Sequence, residues 1–279
     1  MRIERTVEGA RAALDATAGR SLGFVPTMGF LHEGHLSLIA RARAENDSLA
    51  VSIFVNPLQF GPSEDLDSYP RDEERDLQLC EEAGVDVVFV PSVEEMYADE
   101  RATKVVVGGI TDVLEGAARP GHFDGVATVV AKLFNVIRPT RAYFGQKDAQ
   151  QVAVVRRMIA DLSFPLELVV CPTVRESDGL AMSSRNAYLD DEDRARAVAL
   201  HRALREGQAE LEATQEPSAA EEKMWLALSA ADGLVPEYAA AIDPDDFTPA
   251  RGPRVLLAVA ARVGPARLID NILVELDAR

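Results

Sequence analysis

From residue 21 to residue 174, short apolar stretches rich in valine, isoleucine and phenylalanine alternate with amphipathic ones. No other feature of the sequence constrains the fold as strongly. "SLGFVP" (21–26), "SLAVSIFV" (48–55), "VDVVFV" (85–90), "RAYFG" (141–145) and "LELVVCPTV" (166–174) read as strands. Helical patterns over about 34–46, 71–83, 122–137 and 148–161 separate them, with a loop, "NPLQFGPSEDLDSYP", at 56–70. Strands that are apolar throughout are buried on both faces, and parallel neighbours need crossover helices. The pattern predicts an α/β fold: a doubly wound, Rossmann-like parallel sheet with helices on both faces. In the 122–137 helix, Phe123, Val126, Val130, Leu133, Phe134 and Ile137 share one apolar stripe, read as core.

The pattern changes after "RESDGLAMSSRNAYL" (175–189). A charged amphipathic helix over 190–213 turns Leu200, Leu204 and Leu211 inward, and a second helix spans about 218–231. His201 lies on the first of these and receives no role. "PEYAAAID", "RVLLAVAARV" and "ARLIDNILVEL" then read as strands. Residues 1–174 are expected to form the sheet domain and 175–279 a smaller α+β lid domain, with no flexible linker between them. A chain of 279 residues suits two such domains.

Composition excludes some functions. Acids outnumber bases 46 to 29, for a net charge of -17, which argues against a nucleic-acid partner. It does not argue against a small phosphorylated ligand. Distant carboxylates are screened over about 8 Å, so a few bases at contact distance decide whether a phosphate binds. No stretch is long and apolar enough to span a membrane, and the N-terminus lacks the apolar run of a signal peptide. Cys80 and Cys171 sit in apolar surroundings and read as buried free thiols of a cytoplasmic protein.

Four strand ends carry polar clusters. "VPTMGFLHEGH" (25–35) follows a strand and opens a helix, and it holds two of the chain's four histidines, His32 and His35. Zinc wants three or four ligands, and only Glu33 stands near them; the spacing is also not that of a zincin helix. The alternative is phosphate binding. A helix N-terminus offers bare N–H groups and a favourable dipole, Gly29 and Gly34 admit a ligand to the backbone, and two imidazoles donate hydrogen bonds. A capping turn carrying ordinary histidines fits this segment equally well. "YFGQKDAQQ" (143–151) also leaves a strand for a helix. It offers Lys147, the amides of Gln150 and Gln151, and Asp148 as an oxygen donor for Mg²⁺. "GLAMSSRN" (179–186) gathers Ser183, Ser184 and Arg185 behind a hinge candidate, Gly179, and "FVNPLQF" (54–60) places Asn56 and Gln59 after a buried strand. Taken singly, the second and third read more simply as polar loops. Together, four such clusters fit the rule that open α/β sheets bind ligands beyond their carboxyl ends.

The ordered set "PTMGFLHEGH", "SIFVNPLQF", "YPR", "RPGHFDGVATVV", "YFGQKDAQQ" and "DGLAMSSRN" resembles the pantothenate synthetases, the pantoate–β-alanine ligases of the HxGH nucleotidyltransferase superfamily. The likeness runs from about residue 20 to 190; the C-terminal third carries little signature. It implies ATP-dependent condensation of (R)-pantoate with β-alanine through a pantoyl adenylate, releasing AMP and pyrophosphate. It implies an ATP site lined by Met28, Gly29, Phe30, Leu31, His32, Glu33, Gly34 and His35. Gly145, Gln146, Lys147 and Asp148 would also contact ATP, with Lys147 on the phosphates and Asp148 near Mg²⁺. Val174 would meet adenine through its backbone, and Met182, Ser183, Ser184 and Arg185 would form a closing loop. His35 resembles a proton donor, with His32 as its partner. Gln59 and Gln151 resemble the glutamines that grip pantoate, and Asn56 is placed with them. Arg119 and His122 resemble positions at the site's rim; the start of a helix explains them as well. No role is read into "RDEERD" (71–76). A homodimer is implied by resemblance alone. Another HxGH transferase would not need the amides of "NPLQF" and "GQKDAQQ". A class I aminoacyl-tRNA synthetase would need a basic face. A non-catalytic nucleotide sensor would not need both histidine and lysine.

Overall fold

The computed structural model describes residues 1–15, 19–62, 64–97 and 102–276. Position 63 of the expected loop and positions 277–279 of the expected second domain lie outside the described residues. The chain divides into two compact units: Met1–Gly145 with Val154–Cys171, and Gln146–Ala153 with Pro172–Arg279. A cut near residue 174 assigns 146–153 to the sheet domain; in the structure they cluster with the C-terminal unit.

The first unit contains β1 (Arg2–Glu4), α1 (Val7–Asp15), β2 (Leu22–Thr27), α2 (Glu33–Glu45), β3 (Ser48–Ile53), α3 (Glu73–Glu82) and β4 (Val87–Phe89). The short α4 (Val93–Met96) and α5 (Leu114–Ala118) lead to α6 (His122–Ile137) and β5 (Arg141–Gly145); α7 (Ala149–Asp161) begins in the second unit and ends in the first, before β6 (Glu167–Cys171). The six strands form one parallel sheet in the order β1-β4-β3-β2-β5-β6. The edge strand β1 was not legible: three residues, "RIE", show no periodicity, and pairing with β4 alone defines them.

Period-two alternation explains the two faces. Val25, Leu49, Val51, Ile53 and Tyr143 pack in one cluster with Leu38, Ile39 and Ala42 of α2 and Cys80 of α3. Phe24 and Phe144 point the other way, and each packs its ring edge against Phe134 of α6, with centroids 6.5 Å apart. Cys80 and Cys171 are buried free thiols, as expected. The predicted stripe on α6 is buried, but so are Val129, Ala131 and Val136 on its other sides. The segment before α5 meets α6 at Thr128, whose Oγ1 accepts from Val105 N at 3.0 Å.

Strand order reverses at β2. The chain runs from β2 outward through β3 to β4, then crosses through α6 to β5 on the other side of β2. The carboxyl ends of β2 and β5 therefore flank the topological switch point, where open α/β sheets bind ligands.

In the second unit, α8 (Asp191–Thr214) and α9 (Pro217–Ser229) pack against a three-stranded antiparallel sheet, β7 (Leu234–Ile242), β8 (Arg254–Val263) and β9 (Ala266–Glu275). Leu200, Leu204 and Leu211 of α8 meet Val255, Leu257, Val259 and Val263 of β8. Among the described residues, no helix is long and apolar enough to cross a membrane.

Candidate active site

The turn after β2 is held in an unusual shape. Gly29 has φ +82° and Phe30 φ +51°, and a left-handed non-glycine residue costs about 1–2 kcal/mol. Asp76 of α3 compensates. Its carboxylate, only 1% exposed, accepts from Phe30 N (Oδ2) and Leu31 N (Oδ1), each at 2.7 Å, and burial leaves its pKa raised despite these bonds. Arg75 donates to the Leu31 carbonyl at 2.8 Å. The charged stretch 71–76, given no role from sequence, thus positions the signature turn. A signal existed: Asp76 lies four residues before buried Cys80, on the inward stripe of α3.

His32 is the N-cap of α2. Its Nδ1 accepts from Gly34 N at 3.1 Å, and His35 Nδ1 accepts from His32 N at 3.4 Å. This revises one expectation, because the Gly34 N–H is taken by a side chain rather than left bare for an anion. It also removes the competition between capping and function. An Nδ1 that accepts carries no hydrogen, so each neutral ring carries its hydrogen on Nε2. The two rings lie with centroids 4.1 Å apart, and the cap fixes both tautomers as Nε2–H donors.

Gln59 sits on a single 3₁₀ turn, Pro57–Gln59, beyond β3. Its Oε1 accepts from Asn56 Nδ2 at 3.1 Å, so its amino group faces the other way and lies 3.1 Å from Met28 Sδ. The strand ends of β2 and β3 thus bring Met28 and Gln59 together. Asn56 was expected beside the substrate; it is 1% exposed and fully engaged. Its Nδ2 also donates to Gly125 O at 3.1 Å, and its Oδ1 accepts from Leu58 N at 3.3 Å and Tyr97 Oη at 2.8 Å. Asn56 orients Gln59, a task that Tyr97, unremarked in the sequence, supports.

The block "RPGHFDGV" is explained by the same turn. A Cβ on Gly125 would lie 2.3 Å from the Leu58 carbonyl oxygen, so only glycine lets α6 approach. His122 Nδ1 donates to the Gln59 carbonyl at 2.8 Å, and its Nε2 accepts from Arg119 at 3.1 Å. Burial first, then the Arg119 charge, pushes the His122 pKa down to about 4, so the ring is neutral. Arg119 also forks onto Glu64, with Nε to Oε1 at 2.8 Å. Burial opposes ionisation of Glu64, but the Arg119 hydrogen bonds and charge outweigh it and its pKa is lowered. Arg119 and His122 therefore brace Gln59 from behind.

In the second unit, the turn 146–148 carries Lys147, whose Nζ lies 3.1 Å from Asp148 Oδ1. Gln150 is buried at 5% exposure, while Gln151 is half-buried. The Val174 carbonyl accepts from Met182 N at 3.0 Å, and Arg175 and Ala181 form a bridge, so 174–182 is a closed hairpin. Arg194 ties Glu176 and Asp178 of that hairpin to α8. Beyond it, Ser183 Oγ caps a 3₁₀ turn by accepting from Arg185 N at 3.3 Å. Among the described residues, no three His, Cys, Asp or Glu side chains gather as a metal cage. A single carboxylate such as Asp148 fits Mg²⁺ that arrives with phosphate oxygens as its other ligands.

A family model, Pantoate-beta-alanine ligase, matches residues 2–273. A pantothenate synthetase of Acetivibrio thermocellus is 51% identical over 282 residues, covering 99% of this chain and 100% of the relative. One of Roseiflexus castenholzii is 54% identical over 278 residues, with coverage of 99% and 100%. The crystal structure of pantothenate synthetase from Thermus thermophilus superposes with a TM-score of 0.92 at 51% identity, over 98% of this chain and 99% of that one. The pantoate-beta-alanine ligase of Francisella tularensis, solved with beta-gamma ATP and beta-alanine, gives 0.82 at 35% identity, covering 98% and 97%.

Proposed function

We propose residue roles from one premise: the chain belongs to the pantoate–β-alanine ligase family. The activity is ATP-dependent condensation of pantoate with β-alanine. A carboxylate resists amine attack because it is anionic and lacks a good leaving group. In the first step, a pantoate carboxylate oxygen attacks the α-phosphorus of ATP, and the bond to the β-phosphate breaks as pyrophosphate leaves. In the second, the free amine of β-alanine attacks the acyl carbon and forms the amide. The bond from that carbon to the AMP oxygen breaks, AMP leaves, and one proton is released.

The chain's own groups suit the charge that develops. Nε2–H of His32 and of His35 donate to phosphate oxygens, and Lys147 balances charge on the departing pyrophosphate. Resemblance assigns His35 the proton donor's part, played here by the Nε2–H that it presents to the phosphate oxygens. The Gln59 amino group and Gln151 hold pantoate in line with the α-phosphorus, and Asn56 acts on substrate through Gln59. Met28 to His35 and Gly145 to Asp148 cradle ATP, the Val174 backbone meets adenine, and Met182 to Arg185 cover the phosphates. Mg²⁺ held by Asp148 would neutralise phosphate charge. Resemblance also supports a homodimer, which sedimentation reads directly, and the two buried thiols suit a reducing cytoplasm.

The observation that carries this reading is the Nδ1 capping of both histidines at the switch point of the sheet. Pyrophosphate exchange into ATP tests it. Exchange is expected with pantoate alone, ceases without pantoate, and falls severely in Lys147→Ala. Exchange that requires β-alanine would rule out a free adenylate intermediate.

A further inference from the structure

The last strand carries a buried polar pair that the reaction scheme leaves unused. Asp270 and Asn271 of β9 are 4% and 5% exposed. Asn271 Nδ2 donates to the Gln146 carbonyl at 3.0 Å and to the Lys147 carbonyl at 2.8 Å; its Oδ1 accepts from Gln146 Nε2 at 3.3 Å. One amide therefore clamps the two consecutive peptide groups that aim the Lys147 side chain. Asp270 accepts both arms of the Arg175 guanidinium, Nη1 to Oδ2 at 2.6 Å and Nη2 to Oδ1 at 2.9 Å, and also the Asn271 N–H at 2.7 Å. Arg175 donates further to the Asn271 carbonyl at 3.2 Å and to the Gly179 carbonyl at 3.1 Å. It thereby fastens the base of the hairpin that leads to Met182–Arg185.

We infer that Asn271 is a positioning residue for Lys147, and that the adjacent Asp270–Arg175 fork fixes the Ser183–Arg185 loop to the same two residues of β9. The two phosphate-binding segments of the second unit, 146–148 and 182–185, then share one rigid mount. Buried hydrogen bonds to backbone carbonyls fix direction as well as distance, and a bidentate guanidinium–carboxylate pair adds angular restraint. Misplacing a reacting group by about 1 Å can cost on the order of 10²-fold in rate. A clamp on the peptide of Lys147 therefore has functional weight that a packing contact of equal stability lacks. The inference rests on Lys147 binding phosphate, as proposed above.

A double-mutant cycle separates the two claims. MgATP dissociation constants are measured by calorimetry for the wild type, Asn271→Ala, Lys147→Ala and the double variant, with circular dichroism confirming the fold. Asn271→Ala is expected to weaken ATP binding about tenfold when Lys147 is present and less than twofold in the Lys147→Ala background, because the clamp acts through the lysine. Equal losses in both backgrounds, or no loss in either, would overturn the inference. A Lys147→Ala variant that binds MgATP as tightly as the wild type would overturn the underlying reading of Lys147 instead, and the clamp's role with it. If Asn271→Ala does not fold, Asn271→Ser is too short to reach both carbonyls and enters the same cycle with the same criteria.

Discussion

Asp76→Asn is the most informative single change in the first unit, because the substitution keeps shape and removes one acceptor. The wild-type carboxylate accepts from Phe30 N and Leu31 N, at 2.7 Å each. Hydrogen bonds to a charged group contribute about 1.5–3 kcal/mol apiece, which exceeds the roughly 1–2 kcal/mol of strain at Phe30. Asparagine offers one oxygen, so its amino group must face the other N–H. One bond becomes neutral, and one buried N–H is orphaned at about 1–3 kcal/mol. The hold then no longer exceeds the strain, and the turn that carries Met28 to His35 relaxes out of its binding shape. Apparent affinity scales with the fraction of molecules holding the competent turn, so ATP is expected to bind roughly ten- to a hundredfold more weakly. Thermal unfolding should also begin several degrees lower, at about 2–4 °C per kcal/mol for a domain of this size. Calorimetric ATP titration at 25 °C and a thermal melt read both quantities. ATP affinity and melting both within error of the wild type would refute the balance between carboxylate and strain.

His35→Ala removes the phosphate donor proposed above and should slow pyrophosphate exchange by about 10²–10³, the cost of losing one donor to developing charge; a near-normal rate would remove His35 from the mechanism. His122, held down to about 4 from an unfolded value of about 6.5, is neutral in the fold. The stability this represents is fully present above pH 6.5 and is lost as pH falls toward 4. Urea denaturation should therefore show the wild type losing about 2 kcal/mol more than His122→Gln between pH 7.5 and 5, whereas parallel pH curves would contradict a neutral brace. Gly125→Ala forces α6 off the Leu58 carbonyl, at about 1–3 kcal/mol of overpacking, and should raise the KM for pantoate while leaving ATP affinity nearly unchanged; equal changes in both would refute a local effect on Gln59. The 174–182 hairpin is pinned by Arg194 and Arg175, so protection by MgATP in limited proteolysis should fall on 182–188; equal cleavage with and without nucleotide would remove the closing role of Met182 to Arg185.

The sequence by itself determined the α/β class and, among the described residues, every strand but β1 and every helix but α1, α4 and α5. Each of these is written in a local code: apolar runs of strand length, helical periodicity, and glycine or polar residues where a strand hands over to a helix. What only the tertiary structure decided was which polar residues meet ligand and which hold others in place. Asn56 and Gln59 look alike in "NPLQF", yet packing of Gly125 against Leu58 turns Asn56 inward and commits its whole amide to Gln59, Gly125, Leu58 and Tyr97. Asp76 is one acid among six in "RDEERDLQLCEE" until the fold buries it under Phe30 and Leu31. Asn271 lies 124 residues from Lys147 and carries no local signal, because a hydrogen bond across that separation exists only after β9 has been placed. Periodicity reports which side of an element is buried; it cannot report what a buried polar atom will find there, and in this chain the partners come from distant segments.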